Sequence, residues 1–420
     1  MSVEDTDVVI VGGGFAGTAA AAYLSANGMS VVMLEKQERY TDIVRGEWFA
    51  PWGMREAQLL GIDEAIAFGG GWEIREWTQW DEVVAPHEAE TVDMTHFIPG
   101  VGGPLGFPHH QVCESIAQQA AESGAKVVMG AQRCEVTAGP EPQVRYRLGG
   151  ELHTVRARMI IGATGRGGRV GRQIGVSMRT SVHHWGGGVR VEGLDDWPMD
   201  VQAMGTEGER NFMVFPQGDG RARLYINFPT HNKHRYRGEG GVERFLADFE
   251  LESLPDGGKS VYAAAKPIGP LQVWPSMTLR PEQPIVTEGA VLVGDEAGNA
   301  DTVLGTGLSC ALRDVRIVCD ILLNNSDWSP EVFEPYLTER EFRMRRLVFG
   351  ASVISKLQCE FGPEATERRR RARRIMAENP AAQVLGLLNM VPPEQVPEFG
   401  FSEFFVERLF RETACPPDRH

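Results

Sequence analysis

The sequence predicts an α/β protein with a central parallel sheet, an inserted antiparallel sheet and a helical C-terminal region. Three observations predict it. A buried strand, a glycine-rich turn, a helix and a second strand open the chain, and two later strands run into glycine turns near residues 160 and 293. Between those two, runs of apolar and polar residues alternate with a period of two.

Residues 7–11 (Asp-Val-Val-Ile-Val) form a short continuous β-branched run, the pattern of a strand covered on both faces. Residues 12–17 (Gly-Gly-Gly-Phe-Ala-Gly) follow directly, then an alanine-rich helix over about 15–27 that Gly28 stops with a left-handed cap. A second strand, 30–34, ends in Glu35. Strand, GxGxxG, helix, strand and acid in one unit of about thirty residues is a site for an ADP-containing dinucleotide. Gly12 permits the tight turn, Gly14 lets backbone approach a pyrophosphate, and Gly17 allows close helix–strand packing. The helix N-terminus offers unpaired N–H groups to the phosphates. Glu35 accepts from a ribose 2′-hydroxyl. The motif alone does not choose between FAD and NAD.

Two later segments repeat the theme. A strand over 157–161 enters Gly162-Ala163-Thr164-Gly165, followed by a basic, glycine-loosened stretch. A strand over 290–293 enters Gly294-Asp295, a loop, Gly305-Thr306-Gly307 and a helix to about residue 323. In that helix Leu308, Leu312, Val315, Val318 and Leu322 recur every three or four residues, so one apolar face is buried.

The chain has 420 residues, 42 of them basic and 57 acidic, giving a net charge of −15. Apolar residues at 42% and charged residues at 24% are ordinary globular proportions and exclude wholesale disorder. The acidic balance argues against nucleic acid or an anionic membrane as partner. The six cysteines (113, 134, 310, 319, 359 and 415) form no CxxC pair and suit neither a disulfide scaffold nor a zinc site, so a reducing cytoplasm and no metal are expected. Residues 1–7 carry no Lys or Arg, and the apolar run 8–24 is broken by four glycines, so neither a secretory signal nor a membrane span is expected.

Taken in order, the three glycine segments resemble the signatures of the single-component FAD-dependent aromatic hydroxylases, the para-hydroxybenzoate hydroxylase-like flavoprotein monooxygenases: GxGxxG, a mid-chain GADG, and a later GDAAH…P…GQG. The resemblance implies a Rossmann-type FAD-binding domain (GR2-like) assembled from residues 1–75, 103–178 and 276–330. It also implies a β-sheet substrate domain from 76–102 and 179–275, with C-terminal helices over 331–420. It assigns Gly12, Gly14, Phe15, Ala16 and Gly17 to the FAD pyrophosphate turn, and Glu35 with Lys36 to the adenosine ribose. Arg45 falls in a loop that closes on the cofactor, and His109 stands where relatives carry an Arg or Gln that reaches the phosphates. Thr164 and Gly165 lie in the GADG-like segment, and Gly294 and Asp295 at the ribityl chain. Gly305, Thr306, Gly307 and Leu308 supply the loop beside the isoalloxazine carbonyls. The chain departs from the pattern at Thr164 (Asp in relatives), Gly298 (His), Thr302 (Pro), Thr306 (Gln) and Ser309 (Asn).

The activity so implied is a hydroxylase or epoxidase of secondary metabolism. It would use O₂ through a flavin C4a-hydroperoxide on an aromatic or alkene small molecule. No second GxGxxG unit is evident, so NADPH or NADH is expected as a transient electron donor. Trp48, Trp52, His183, His184, Trp185, Arg190, Phe212, Phe215 and Tyr225 are candidates for an aromatic substrate pocket, with Asp301 an added polar group facing the flavin. Adjacent strand residues point to opposite faces, so only one of His183 and His184 can face inward. The 72–102 stretch around Trp72, Trp77 and Trp80 is expected to add strands to the inserted sheet.

C-terminal helices are expected over 338–356 and 364–379. The six arginines of 368–374 are expected on a solvated face paired with the acidic remainder. Pro392, Pro393, Pro397, Pro416 and Pro417 close the fold or form an oligomer contact, which leaves a homodimer open. Two other flavoprotein activities compete. A reductase similar to the geranylgeranyl reductases stands first. A flavin-dependent halogenase is disfavoured, because that family relies on an early lysine and a WxWxIP segment. Here no lysine lies between Lys36 and Lys126, and WxWxIP does not occur.

Overall fold

The computed structural model describes residues 2–410. The first strand of the parallel sheet, β1 (Val8–Val11), is at most 4% exposed along its length. It feeds α1 (Phe15–Ala26) and β2 (Val31–Glu35). Gly28 has φ +85°, the left-handed conformation that lets the chain leave α1. The helix α2 (His109–Glu122) leads to β3 (Lys126–Met129), and β4 (Met159–Gly162) returns to the centre of the sheet. Between β3 and β4, antiparallel strands Gln132–Thr137, Gln143–Leu148 and Glu151–Arg156 form a small sheet with Ser2–Asp5.

The inserted sheet is built from β5 (Met178–Glu192), β6 (Val201–Glu207), β7 (Arg210–Pro216), β8 (Ala222–Phe228) and β9 (Gln272–Pro281), in spatial order β9-β5-β8-β7-β6. Glu76–Gln79 adds to β6 in parallel, and Thr91–Asp93 adds antiparallel beyond it. Trp72–Glu73 joins a separate three-stranded sheet with Trp48–Phe49 and Leu105–Gly106. The β5–β9 ladder runs from Met178↔Pro281 to Gly188↔Gln272, with a bulge between Val182 and His184. Period two holds in β8, but both faces are covered. Leu224, Ile226 and Phe228 enter an outer apolar core with Val189, Phe212 and Phe245. Arg223, Tyr225 and Asn227, on the other face, are at most 8% exposed.

The strand β10 (Ala290–Leu292) completes the parallel sheet, whose order is β10-β4-β1-β2-β3. The helix α3 (Gly307–Asn324) then packs on α1, with Leu312, Val315, Val318 and Leu322 at most 1% exposed. The 25-residue α4 (Glu334–Gln358) and α5 (Pro363–Glu378) begin earlier than the sequence pattern indicated, each with a proline in the first turn. Leu347, Ala351 and Leu357 of α4 share a core with Met204, Met213, Phe215 and Tyr225 on the inner face of the inserted sheet.

One expectation for α5 is corrected. Arg369 is 3% exposed rather than solvated, and it pairs with Glu82 and approaches Asp81 at 3.8 Å. Arg373 donates to the Gln79 carbonyl, while Arg370 remains on the exposed face with Glu367. Asp81 and Glu82, just after the Glu76–Gln79 strand, draw Arg369 inward. Cys415, Pro416 and Pro417 lie outside the described residues.

Candidate functional site

The first glycine turn divides its labour by position. Gly12 has φ +111°, and a β-carbon there would stand 2.3 Å from the Ala163 carbonyl oxygen of β4's end. A β-carbon on Gly17 would stand 1.8 Å from the Gly12 oxygen, so only glycine lets α1 sit this close to β1. Gly14 is different: nothing lies within 4 Å of its β-position. Gly307, at the start of α3, and Gly165, after β4, face open space in the same way. Neither α1 nor α3 has an acidic side chain in its first turn. Two helix N-termini thus present unpaired N–H groups to open space at the C-terminal edge of the parallel sheet, the place where a dinucleotide phosphate fits.

Polar side chains rim that space. Glu35 accepts from Gly13 N–H at 2.7 Å and Gln37 N–H at 2.9 Å, which fixes its carboxylate at the turn. The exposed Lys36 next to it uses its carbonyl to receive Gln132. Tyr40, not anticipated from sequence, donates to the Gly13 oxygen. Phe15 packs against Phe49, Phe107 and the His109 ring. His109 Nδ1 lies 2.8 Å from the Gly46 oxygen, and burial pushes its imidazole down to about 4, so it is neutral at pH 7. Asp295 pairs with Arg166 at 3.3 Å, and Arg45 lies within electrostatic reach of both.

Two buried carboxylates that sequence reading passed over hold these loops. Glu296, fully buried, accepts from Thr164 N–H, Val170 N–H at 2.8 Å and Gly171 N–H at 3.0 Å, tying the Gly294-Asp295 turn to the GATG turn. Asp314 of α3, also fully buried, accepts from Gly294 N–H at 2.9 Å, Arg340 at 3.1 Å and Arg343 at 2.5 Å. Arg340 in turn donates to the Gly298 carbonyl at 2.7 Å. Only the adjacency of an acid to each glycine motif could have flagged Glu296. Asp314, Arg340 and Arg343 carry no local signal.

On the inner face of the inserted sheet, four aromatic rings run in a row. Trp48 lies 6.2 Å from Phe215, Phe215 5.6 Å from Tyr225, and Tyr225 6.1 Å from Trp274. Trp48 donates to Gln202 and also abuts Gly305, where a β-carbon would fall 2.9 Å from its ring. The row therefore reaches from the sheet to the loop that starts α3. At its edge Arg223, fully buried, pairs with Glu47 and with Asp42 at 2.7 Å, while Tyr225 donates to Glu47 at 3.1 Å. Arg190 lies 3.6 Å from Asp42. Burial raises the Glu47 carboxyl above its ordinary value. For Arg223 burial works downward, but Glu47 outweighs it and the guanidinium is held charged.

Several expected pocket residues lie elsewhere, and these placements correct the sequence reading. Trp52 is wholly buried on α3's flank with Arg313 over its ring at 5.2 Å. Trp185 and Phe212 pack in the outer apolar core, because strand alternation turns them away from Tyr225. His183 is exposed and paired with Thr278 at 2.9 Å. The bulge beside it turns His184 inward, 1% exposed and 3.7 Å from Asp301. Asp301 caps the turn at Thr302–Leu304 through Val303 N–H and receives Ser276 at 2.6 Å. Among the described residues no group of acids, histidines and cysteines is arranged to hold a metal, and no helix is long and apolar enough to cross a membrane.

A parallel sheet with two open helix N-termini, roofed by an antiparallel sheet, defines a Rossmann-type flavoprotein, an oxidoreductase class. More particularly, the chain belongs to the FAD binding domain family, whose model matches residues 5–350. It is 28% identical over 372 residues to a digeranylgeranylglycerophospholipid reductase of Methanopyrus kandleri, covering 85% of this chain and 88% of that protein. It is 21% identical over 338 residues to mouse squalene monooxygenase, a match that spans 77% of this chain but only 56% of that protein. Among solved structures, p-nitrophenol 4-monooxygenase PnpA of Pseudomonas putida DLL-E4 superposes with a TM-score of 0.76 at 15% identity, over 90% of this chain and 95% of that one. The flavin-dependent brominase Bmp2 gives 0.73 at 16% identity, over 96% and 98%. These structural likenesses establish the fold.

Proposed function

We propose that the protein is an FAD-dependent monooxygenase that hydroxylates or epoxidises an aromatic or alkene small molecule, with NADPH or NADH as a transient donor. The observation that carries this reading is the aromatic row Trp48–Phe215–Tyr225–Trp274, which runs along the sheet to the Gly305 loop. Such a wall suits a flat, electron-rich substrate. Bound FAD, once reduced, supplies the electrons and the activation of dioxygen.

The chain's own residues do the rest. The open turn at Gly14 and the start of α1 hold the pyrophosphate, with Phe15, Ala16 and Gly17 continuing that turn and Glu35 and Lys36 at the adenosine ribose. Asp295, beside Arg166 and Arg45, takes the ribityl hydroxyls. The N-terminus of α3, at Gly305, Thr306, Gly307 and Leu308, would offer its positive dipole end to the negative charge of a reduced flavin. Thr164 and Gly165, in the turn after β4, would border the same group, and His109, neutral, would meet it without adding charge. The sheet, packed over the site by α4, excludes water from the reacting face.

A second reading, a double-bond reductase, is favoured by the Methanopyrus kandleri relative, which matches more of its own length than the monooxygenase relative does. The two part on one experiment. Turnover under ¹⁸O₂ with any converted aromatic or alkene should place one labelled atom in the product. Label-free product carrying two added hydrogens would establish the reductase.

A further inference from the structure

The ladder of the inserted sheet orders its inner face into rows. Phe215, Arg223 and Arg190 form one, and Thr206, Asn211, Asn227 and Gly186 another. Both have visible tasks. Arg223 and Arg190 reach the acids of loop 42–47, while Asn211 joins Thr206 at 3.2 Å and Asn227 at 2.9 Å. The row between them is Met204, Met213, Tyr225 and Gly188. Its two methionines are direct cross-strand partners, so their β-carbons lie about 5 Å apart. They share a core with Trp48, Phe215, Val303 and Leu304, beside the loop that leads to the open N-terminus of α3.

Packing alone does not call for methionine here. The outer face of β6, β7 and β8 is closed by Ala203, Phe212, Val214, Leu224, Ile226 and Phe228, every one of them 0% exposed. Met204 and Met213 are 7% and 9% exposed, matching Tyr225 at 8% and Phe215 at 9%. Their side chains thus border the same accessible space as the aromatic row. A thioether is soft and nucleophilic, unlike the branched and aromatic groups that suffice on the other face. Cys310 and Cys359 share this core, but burial pushes both thiols up and keeps them in the unreactive protonated form.

We propose that Met204 and Met213 are a modification site that takes up oxygen from peroxide formed when reduced cofactor meets dioxygen with no substrate in place. This rests on the monooxygenase reading and adds an internal brake to it. Dioxygen gains two electrons from the reduced cofactor and two protons, giving hydrogen peroxide and oxidised FAD. A methionine sulfur then attacks one peroxide oxygen with its lone pair. The O–O bond breaks, an S–O bond forms, and the other oxygen leaves as water after proton transfer. The sulfur is oxidised by two electrons and the peroxide reduced by two. The product, methionine sulfoxide, is polar and chiral, and a methionine sulfoxide reductase restores it. Placed next to Tyr225, it weakens the wall's hold on an apolar ring, so idle turnover lowers substrate affinity.

The test uses the FAD-loaded full chain, reduced under nitrogen with an equivalent of dithionite and then opened to ¹⁸O₂ without any aromatic or alkene. Catalase is present to destroy peroxide that has left the protein. After repeated cycles in the dark, peptide mass mapping should find ¹⁸O on Met204 and Met213. The yield there should be about tenfold above that at Met33 and Met159, which are 0% exposed in the parallel-sheet core, and above that of a chain kept oxidised. Met204→Leu with Met213→Leu conserves volume and should keep FAD. Without catalase, that variant should release more peroxide than wild type over the first cycles, an equivalent for each methionine lost. Yields at Met204 and Met213 no higher than at Met33 and Met159, complete suppression by catalase, unlabelled sulfoxide, or equal peroxide release overturns the inference and leaves the flavoprotein reading intact. A chain that retains no FAD, or whose reduced FAD air does not reoxidise, overturns the monooxygenase reading and this site with it, an outcome read separately from the flavin spectrum.

Discussion

Asp314→Asn is the sharpest probe of how the site is braced. Asp314 is fully buried and receives three donors: the Gly294 N–H at the cofactor-side turn, Arg340 and Arg343. Asparagine keeps the shape but removes the charge, so two arginines at most 5% exposed lose their shared counter-ion. Removing one partner from a buried ion pair costs about 3–5 kcal/mol. A 420-residue chain unfolds with an entropy of about 0.9 kcal/mol/K at the usual per-residue value, so Tm should fall by roughly 3–6 °C. The pH dependence has a definite sign. Burial alone would raise the Asp314 carboxyl, but Arg340 and then Arg343 outweigh it and hold it below 3.8. Its contribution is thus complete above that value and is lost as pH falls through the folded value, so the deficit of the variant should shrink toward acid. Calorimetry or circular dichroism melts of both proteins at pH 7 and in acid provide the measurement. A variant Tm within 1 °C of wild type at pH 7 (roughly 1 kcal/mol on the same conversion) would refute the brace.

Three further outcomes follow from the same geometry. Gly17→Ala puts a β-carbon 1.8 Å from the Gly12 oxygen and should destabilise the fold by about 3 kcal/mol or more, whereas Gly14→Ala, with open space and φ −76°, should leave the apoprotein Tm unchanged and weaken FAD about tenfold by fluorescence titration. His109 is depressed to about 4 in the fold, so its contribution is full above 6.5 and lost as pH falls from 6.5 to 4; His109→Gln should flatten the Tm profile across that window. Glu47→Gln and Arg223→Gln should each cost about 3 kcal/mol, but the double variant far less than their sum, and strictly additive urea midpoints would show the pair uncoupled.

What the sequence disclosed and what it hid divide along a physical line. Continuous β-branched runs, glycine turns and a three-four apolar stripe are local patterns, so β1, α1, β2 and the buried face of α3 were legible with boundaries near those observed. Roles that depend on a distant partner were not. Glu296 and Asp314 look like ordinary acids until folding brings three donors to each. Arg369 read as part of a solvated run because the acids that bury it lie nearly 290 residues earlier. The choice between His183 and His184 turned on a bulge, which shifts strand parity by one and leaves no clear sign in residue types.

The same distinction explains why the inner face of the inserted sheet carries buried charged and polar groups beside its aromatic row. Loops 42–47 and 301–307 must leave open space at Gly14 and Gly307, so apolar side chains of their own cannot cover that space without filling it. They are fastened from the other side. Arg223 and Tyr225 hold Glu47 and Asp42 at one end of the face, and Ser276 holds Asp301 at the other. The antiparallel ladder between them sets the span, since β5 pairs with both β8 and β9. Paired charges and hydrogen bonds suit this task because their direction and distance are specified, whereas an apolar contact would let the loops slide.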